Sequence, residues 1–156
     1  MTSIDIFAET NPALCSLILF KFSVGYHNFS LEGVPFPLLL LPLPIILSGD
    51  LAYSFDHTNQ NTGFLRWIEK NNDVLVNLSI RIEDSFVFFR PAIEYSFSKN
   101  IFSISENGNI IPNIETVKKK LDDSIKQQMI NAERLGNWLG KVGSPRTIFN
   151  CLGLSL

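Results

Sequence analysis

The sequence predicts a mainly α-helical, compact single domain with one small β-hairpin, and its order of several helices, a hairpin and a further helix is winged-helix-like and fits a plain helical bundle decorated with a hairpin almost as well. Three observations lead there. A chain of 156 residues has the size of one domain and is long enough to bury a core without disulfides or metals. Apolar residues recur at helical steps over most of its length, and Asn11-Pro12 and Ser144-Pro145 read as helix starts. The clearest β signal is a single Asn-Gly turn between two short apolar runs.

Composition narrows the class. Apolar residues make up 46% and charged residues 18%, with thirteen Phe against three Tyr. A charged share well below the usual ~25% excludes a disordered chain, a coiled-coil rod and a collagen-like repeat. It also leaves more apolar surface than one core needs. Thirteen Lys and Arg against fifteen Asp and Glu give a net charge of −2, with no global field directed at nucleic acid or an anionic membrane. Cys15 and Cys151 sit among aliphatic residues without CxxC spacing, as free thiols do in a reducing cytosol. The stretch Met1 to Glu9 has no cationic flank and carries Asp5 and Glu9, unlike a signal peptide. Val34 to Leu47 is wholly apolar, but its 14 residues include Pro35, Pro37, Pro42 and Pro44. A spanning helix needs about 20 residues and few such breaks. The expectation is a soluble, cytoplasmic protein with no membrane contact.

The elements follow in order. After an N-terminal lead over residues 1–10, residues 11–99 form the helical part. Asn11 caps a first helix through Leu14, Leu17, Ile18, Lys21, Phe22 and Gly25 to about Tyr26, with Pro12 at its first position. His27 closes that helix, where an imidazolium suits the dipole. Gly33 to Ser48 is punctuated by proline and allows only short helical pieces. Asp50 to Phe55 adds a turn, and Asp56 to Thr62 is a polar loop. Thr62 is the expected cap of a helix over Phe64–Lys70. Asp73 is the expected cap of the next, Val74 to about Ser85, with Leu75, Leu78, Ile82 and Phe86 inward. Pro91 then opens a separate helix through Ile93, Tyr95 and Phe97 to Lys99. Residues 101–112 form the hairpin around Asn107-Gly108.

Residues 115–156 hold a long helix and a C-terminal helix and tail. Val117, Leu121, Ile125, Met129, Ala132, Leu135, Leu139 and Val142 set the period of the long helix, Glu115 to Val142. Gly143 suits its C′ position, and Ser144-Pro145 starts a terminal helix over Arg146–Leu152.

Catalytic and metal chemistry find little footing. His27 and His57 are the only histidines, and neither has Cys or carboxylate neighbours at zinc spacing. No G-x-S-x-G and no phosphate-cradling Gly-rich loop is present, and Glu83-Asp84 and Asp122-Asp123 are adjacent pairs that diverge on a helix. No cofactor is implied. Nucleic acid has one basic run, Lys118, Lys119 and Lys120, with Arg66 and Lys70 on the short helix that a winged module would use for recognition. Glu69, Glu115, Asp122 and Asp123 dilute both patches.

The strongest signal is for a partner. Ala132, Gly136 and Gly140 lie at i, i+4 and i+8, a smooth ridge on the long helix. Each mid-helix Gly costs about 0.8–1 kcal/mol relative to Ala, so two of them require a close backbone, either the first helix or another chain. Trp138 lies beside the ridge, and Ser144, Pro145, Phe149 and Leu152 follow in a segment with little charge. These residues, the apolar tail and the proline-broken stretch are the expected partner surface.

The run from Ala132 to Leu154 (AERLGNWLGKVGSPRTIFNCLGL) resembles the closing motif of the small middle component of bacterial three-component ABC-ATPase conflict systems. The Asn11-Pro12-Ala13 helix, the Gly-x-Pro-x-Pro run at Gly33–Pro37 with its Leu-Pro-Leu sequel, and Phe64-Leu65-x-Trp67 are similar and in the same order. The likeness spans about Asn11 to Leu154. The lysine run is particular to this sequence, so it inherits no DNA-binding role. The resemblance implies a non-enzymatic adaptor that couples an ABC/SMC-like ATPase subunit to an effector subunit in anti-phage defence, with any DNA contact made through the complex. A winged-helix DNA-binding regulator and a small hydrolase with an unrecognised site are the alternatives.

Overall fold

A computed structural model of the chain describes residues 11–117 and 123–155. Its centre is helix α1 (Pro12–His27). Asn11 is extended, and its side-chain oxygen accepts from the backbone N–H groups of Ala13 (3.0 Å) and Leu14 (3.3 Å), as the cap reading requires. Ile18, Leu19, Phe20, Phe22 and Tyr26 are all buried, so apolar side chains leave α1 in every direction. A helix apolar all round is one enclosed by its neighbours. Its buried hydroxyls are satisfied: Ser16 and Ser96 share a 2.6 Å hydrogen bond, and Ser23 donates to the Leu19 carbonyl.

The proline-broken stretch that follows forms a 3-10 turn at Phe36–Leu40, a short helix α2 (Pro42–Ile46) and a 3-10 segment at Gly49–Phe55. Leu38, Leu39, Leu41, Leu43, Ile45 and Ile46 are all buried. The expectation that this stretch faces a partner is thereby corrected. Proline keeps it compact, and its side chains enter the core. Among the described residues no single helix is long and apolar enough to cross a membrane. The pieces Phe36–Ile46 and Gly49–Phe55 would qualify only as a pair, and they bend by 102°.

Helix α3 (Phe64–Lys70) has the expected bounds but not the expected cap. Gly63, at φ 82°, leads into it, and the Thr62 hydroxyl accepts instead from the Asn59 N–H. Asp73 likewise caps no long helix, because Asn72–Leu75 is a 3-10 turn. Helix α4 (Leu78–Ser98) begins after Asn77 and runs unbroken, with Pro91 inside it. The two helices predicted here are one. Pro91 removes the N–H that would reach the Val87 carbonyl, but Val87 is exposed, where water serves that oxygen. Ala92 and Ser96 beyond the proline are buried and hold the last turns in place. Phe86 faces outward, against expectation.

Strands β1 (Phe102–Ile104) and β2 (Ile110–Pro112) pair antiparallel, with Ser103 opposite Ile111. Gly108 at φ 80° supplies the left-handed turn residue that the Asn-Gly signal predicts. Val34 adds a bridge on the other side of β2, exchanging two 2.8 Å hydrogen bonds with Ile110. Gly33 precedes it because a Cβ there would lie 2.8 Å from the Ile110 carbonyl oxygen.

The long helix was predicted from Glu115, but Ile114–Thr116 is a 3-10 turn and Val117 is extended. Asn113 and Thr116 donate side-chain hydrogen bonds to the Asn100 carbonyl and tie that turn back to the end of α4. Helix α5 is described over Asp123–Val142. The expected N-terminal lead over residues 1–10 and the lysine run lie outside the described residues. Gly143 at φ 75° ends α5, and Ser144 caps helix α6 (Pro145–Cys151) by accepting from the Thr147 N–H. Helix α3 packs mainly on α5 and the turn after it, whereas the hairpin leans on α1 and α4. The fold is thus mainly helical with one hairpin, and its packing does not establish a winged-helix likeness.

Candidate functional site

The glycine ridge closes inside the chain. A Cβ on Gly136 would strike the Phe22 carbonyl oxygen, and one on Gly25 would strike that of Glu133. At Gly140 the obstacle is the Tyr26 carbonyl oxygen, 2.7 Å away. Contacts advance together along α1 and α5, so the two helices run in the same direction with their backbones touching. Asn28 donates to Asn137 across the same seam at 3.2 Å. The partner surface predicted at Ala132, Gly136 and Gly140 is therefore corrected: the close backbone is the first helix.

The neighbours of the ridge are also committed internally. Trp138 is fully buried, and Phe149 and Leu152 pack into the core from α6. Ser144 and Pro145 shape the start of α6. Phe149, Leu152 and the partly buried Leu154 thus pack on the chain's own core.

Trp138 anchors an aromatic box. Its ring stacks on Phe55 at 5.8 Å with an 8° interplanar angle, and Trp67 lies 5.4 Å from Trp138 and 5.3 Å from Phe55. Phe64 closes the box against Trp67. Each indole N–H finds a backbone carbonyl 3.0 Å away, Trp67 that of Ser54 and Trp138 that of Asn59.

The polar loop 56–62 lies over this box and is held from α5. Arg134, Trp138 and Lys141 stand at i, i+4 and i+7 on one helix face. Arg134 donates to the Phe55 carbonyl and to Thr58 Oγ1 (3.0 Å), Trp138 to the Asn59 carbonyl, and Lys141 to the Gln60 carbonyl (3.4 Å). The loop adds its own bonds, Thr58 Oγ1 to the Phe55 carbonyl and the Asn61 N–H to Asn59 Oδ1. Nearly every turn of this loop therefore has a fixed partner.

Between the loop and α3 lies an open cleft of about 530 Å³, lined among others by Tyr53, Asp56, His57, Asn61, Arg66 and Lys70. The structure thus brings Arg66 and Lys70 together on one wall, while Lys118, Lys119 and Lys120 lie outside the described residues. In the sequence, 56–62 reads as a polar loop. The available signal was its flanking by Phe55, Phe64 and Trp67, with donors at matching helical spacing on α5.

A second polar feature joins α4 to the 3-10 segment. The Arg81 guanidinium grips the Asp50 carboxylate through both terminal nitrogens, at 2.6 and 3.1 Å, and one nitrogen also reaches Ser48 Oγ. The hydrogen bond from Arg81 holds the Asp50 carboxyl below its ordinary pKa, and the same bond raises that of Arg81. A carboxyl depressed on folding stabilises the fold above its unfolded pKa of about 3.9, and that contribution disappears as pH falls through the folded value. The Asp50 side chain is 62% exposed, so solvent screening limits the pair to about 0.2–1 kcal/mol. Asp50→Asn is expected to cost that much at pH 7 and nothing at a pH well below 3.9. Urea melts at both pH values check this, and an equal loss at both would contradict the ion-pair origin.

Among the described residues no three His, Cys, Asp or Glu side chains gather where a metal could bind. No curated protein and no solved structure matches the chain. One family model does match, over residues 6–156, covering the motifs from Asn11 to Leu154 that carry the resemblance seen in the sequence. The chain belongs to the family described as ABC-three component (ABC-3C) system Middle Component 3.

Proposed function

We propose that the chain is a non-catalytic adaptor in an anti-phage defence complex, coupling an ABC/SMC-like ATPase to an effector. Its family makes it one component of a multi-subunit ABC system. The observation that carries the adaptor reading is the outer face of α4. Ile80, Phe86 and Val87 are 54%, 47% and 69% exposed there, although the core is complete without them. Glu83 and Asp84 lie among them on the same exposed surface. With Glu94 the rim carries three carboxylates against Arg90, and an apolar face with such a net acidic rim fits a partner surface with an apolar centre and a mainly basic rim. The ATPase is the occupant of this face. Nucleotide- or DNA-driven movement in the ATPase would carry this subunit as a rigid body, because its two central helices interlock, and so reposition the effector.

The test is capture of the ABC ATPase of the same system by the tagged chain after co-expression. Wild type is expected to retain the ATPase, and Phe86→Asp with Val87→Asp to lose at least about 90% of it, since charges buried in an interface core cost several kcal/mol. Both sites are exposed, so the thermal midpoint of the variant should stay near that of wild type. Equal capture by variant and wild type would overturn the α4 face. A chain that ignores the ATPase and binds one operator alone would overturn the adaptor.

A further inference from the structure

We infer that the cleft between loop 56–62 and α3 binds the phosphate backbone of a single nucleic-acid strand. This goes beyond the adaptor reading and does not depend on it, because the α4 face and the cleft are read by different assays.

Four observations support it. First, Arg66 and Lys70 stand one helical turn apart on α3 and both line the cleft. Neither makes a hydrogen bond or ion pair with any described residue; Arg81, Arg90, Arg134 and Lys141 are engaged, and Arg66 and Lys70 differ from the other unengaged cations, Lys21, Lys126 and Arg146, in lining the cleft. Two unpaired cations on one wall match successive phosphates. Second, the opposite wall is prepared for a base. Tyr53 is about half exposed at the cleft and offers a stacking face, and Asn61 and Asp56 supply amide and carboxylate groups suited to base edges.

Third, the wall is rigid before anything binds. The carbonyls of Phe55, Asn59 and Gln60 are turned toward α5 and held by Arg134, Trp138 and Lys141, so little loop ordering remains to be done on binding. His57 has a left-handed backbone at φ 58° within this wall. Fourth, the size fits: a volume of about 530 Å³ accommodates a nucleotide unit. Asp56 opposes anions locally, so the site favours a strand that places its phosphates along α3 and a base toward Asp56.

The experiment is fluorescence anisotropy of a labelled mixed-sequence single strand with the full chain, at several salt concentrations. Unlabelled duplex, ATP and inorganic phosphate serve as competitors. Wild type is expected to bind the strand, with duplex and ATP competing far less well at equal phosphate. Arg66→Glu with Lys70→Glu should weaken binding by on the order of tenfold or more, and flatten the log–log salt slope by about 1.4, for two lost phosphates. Tyr53→Ala should weaken it about fivefold or more without changing that slope. Lys126→Glu, on the exposed side of α5, is the charge control and should change neither. All four side chains are partly or fully exposed, and an unchanged thermal midpoint confirms folding in each variant. Binding by the double variant equal to wild type would overturn the site. So would equal loss with Lys126→Glu, or ATP competing as well as the strand, which would assign the cleft to free nucleotide.

Discussion

Gly136→Ala is expected to destabilise the fold by about 3 kcal/mol, at the upper end of the usual cost of overpacking. On an exposed helix the same change would stabilise by about 0.8–1 kcal/mol, because alanine is the better helix former. The sign reverses here because the new methyl lands on the Phe22 carbonyl oxygen, with the Tyr26 backbone nitrogen 2.9 Å away. Backbone atoms cannot step aside as a flexible side chain does, so α1 and α5 must separate. For a domain of this size each kcal/mol lowers the thermal midpoint by about 2–4 °C, so a drop on the order of 6–12 °C follows. Gly25→Ala should behave alike, since it meets the Glu133 carbonyl on the same seam. The double variant should lose less than the sum, because one separation relieves both clashes. Thermal and urea melts of the three variants check this. A stability gain from Gly136→Ala would mean that the helices do not touch there.

Trp138→Ala is the second large effect, expected at about 3–5 kcal/mol. It empties the centre of the aromatic box, which Phe55 and Trp67 share, and leaves the Asn59 carbonyl without its indole donor. Trp138→Phe is the milder change. It keeps one ring in the box and removes the rest of the indole with its hydrogen bond to Asn59, so about 1–3 kcal/mol should be lost. Limited proteolysis adds a local readout. Both variants should become susceptible within loop 56–62, because Trp138 ties that loop to α5. Equal stability of Trp138→Ala and wild type would contradict the box as the lock of this region.

The sequence made the helix ends legible where the chemistry is local. Asn11-Pro12 and Ser144-Pro145 cap α1 and α6 through bonds to residues two or three positions on, and Gly143 ends α5 as predicted. It misled where distant contacts decide. Pro91 reads as a helix start, yet Ala92 and Ser96 are buried against the rest of the fold and carry α4 straight through it. Glu115 continues a helical period, yet Asn113 and Thr116 bond back to Asn100 and stop the helix from starting there. The Val34 bridge to Ile110 is a single residue of pairing far away in sequence, and Pro35 gives no hint of it.

The ridge is the instructive case for the candidate site. Spacing at i, i+4 and i+8 correctly signalled a backbone in contact, but periodicity cannot say whose. The surplus of apolar residues is likewise real. An all-round buried α1 and a folded proline-rich stretch absorb much of it, and Ile80, Phe86 and Val87 on α4 are among the large apolar side chains left outside, with others such as Leu31, Leu65 and Ile104 elsewhere on the surface. The cleft was half legible: Arg66 and Lys70 stood out as cations, whereas the fixed loop opposite them depends on donors from α5 about eighty residues away.

The central claim is that the α1–α5 seam is internal and that the partner sits on α4. Hydrogen–deuterium exchange of the chain, free and bound to the ABC ATPase, tests it most directly. The amides from Ala132 to Gly140 should already exchange slowly in the free chain, as those of a closed core do, with new protection on binding confined to the outer turns of α4. Fast exchange over Ala132–Gly140 in the free chain, slowed only when the ATPase binds, would contradict it and return the ridge to the partner.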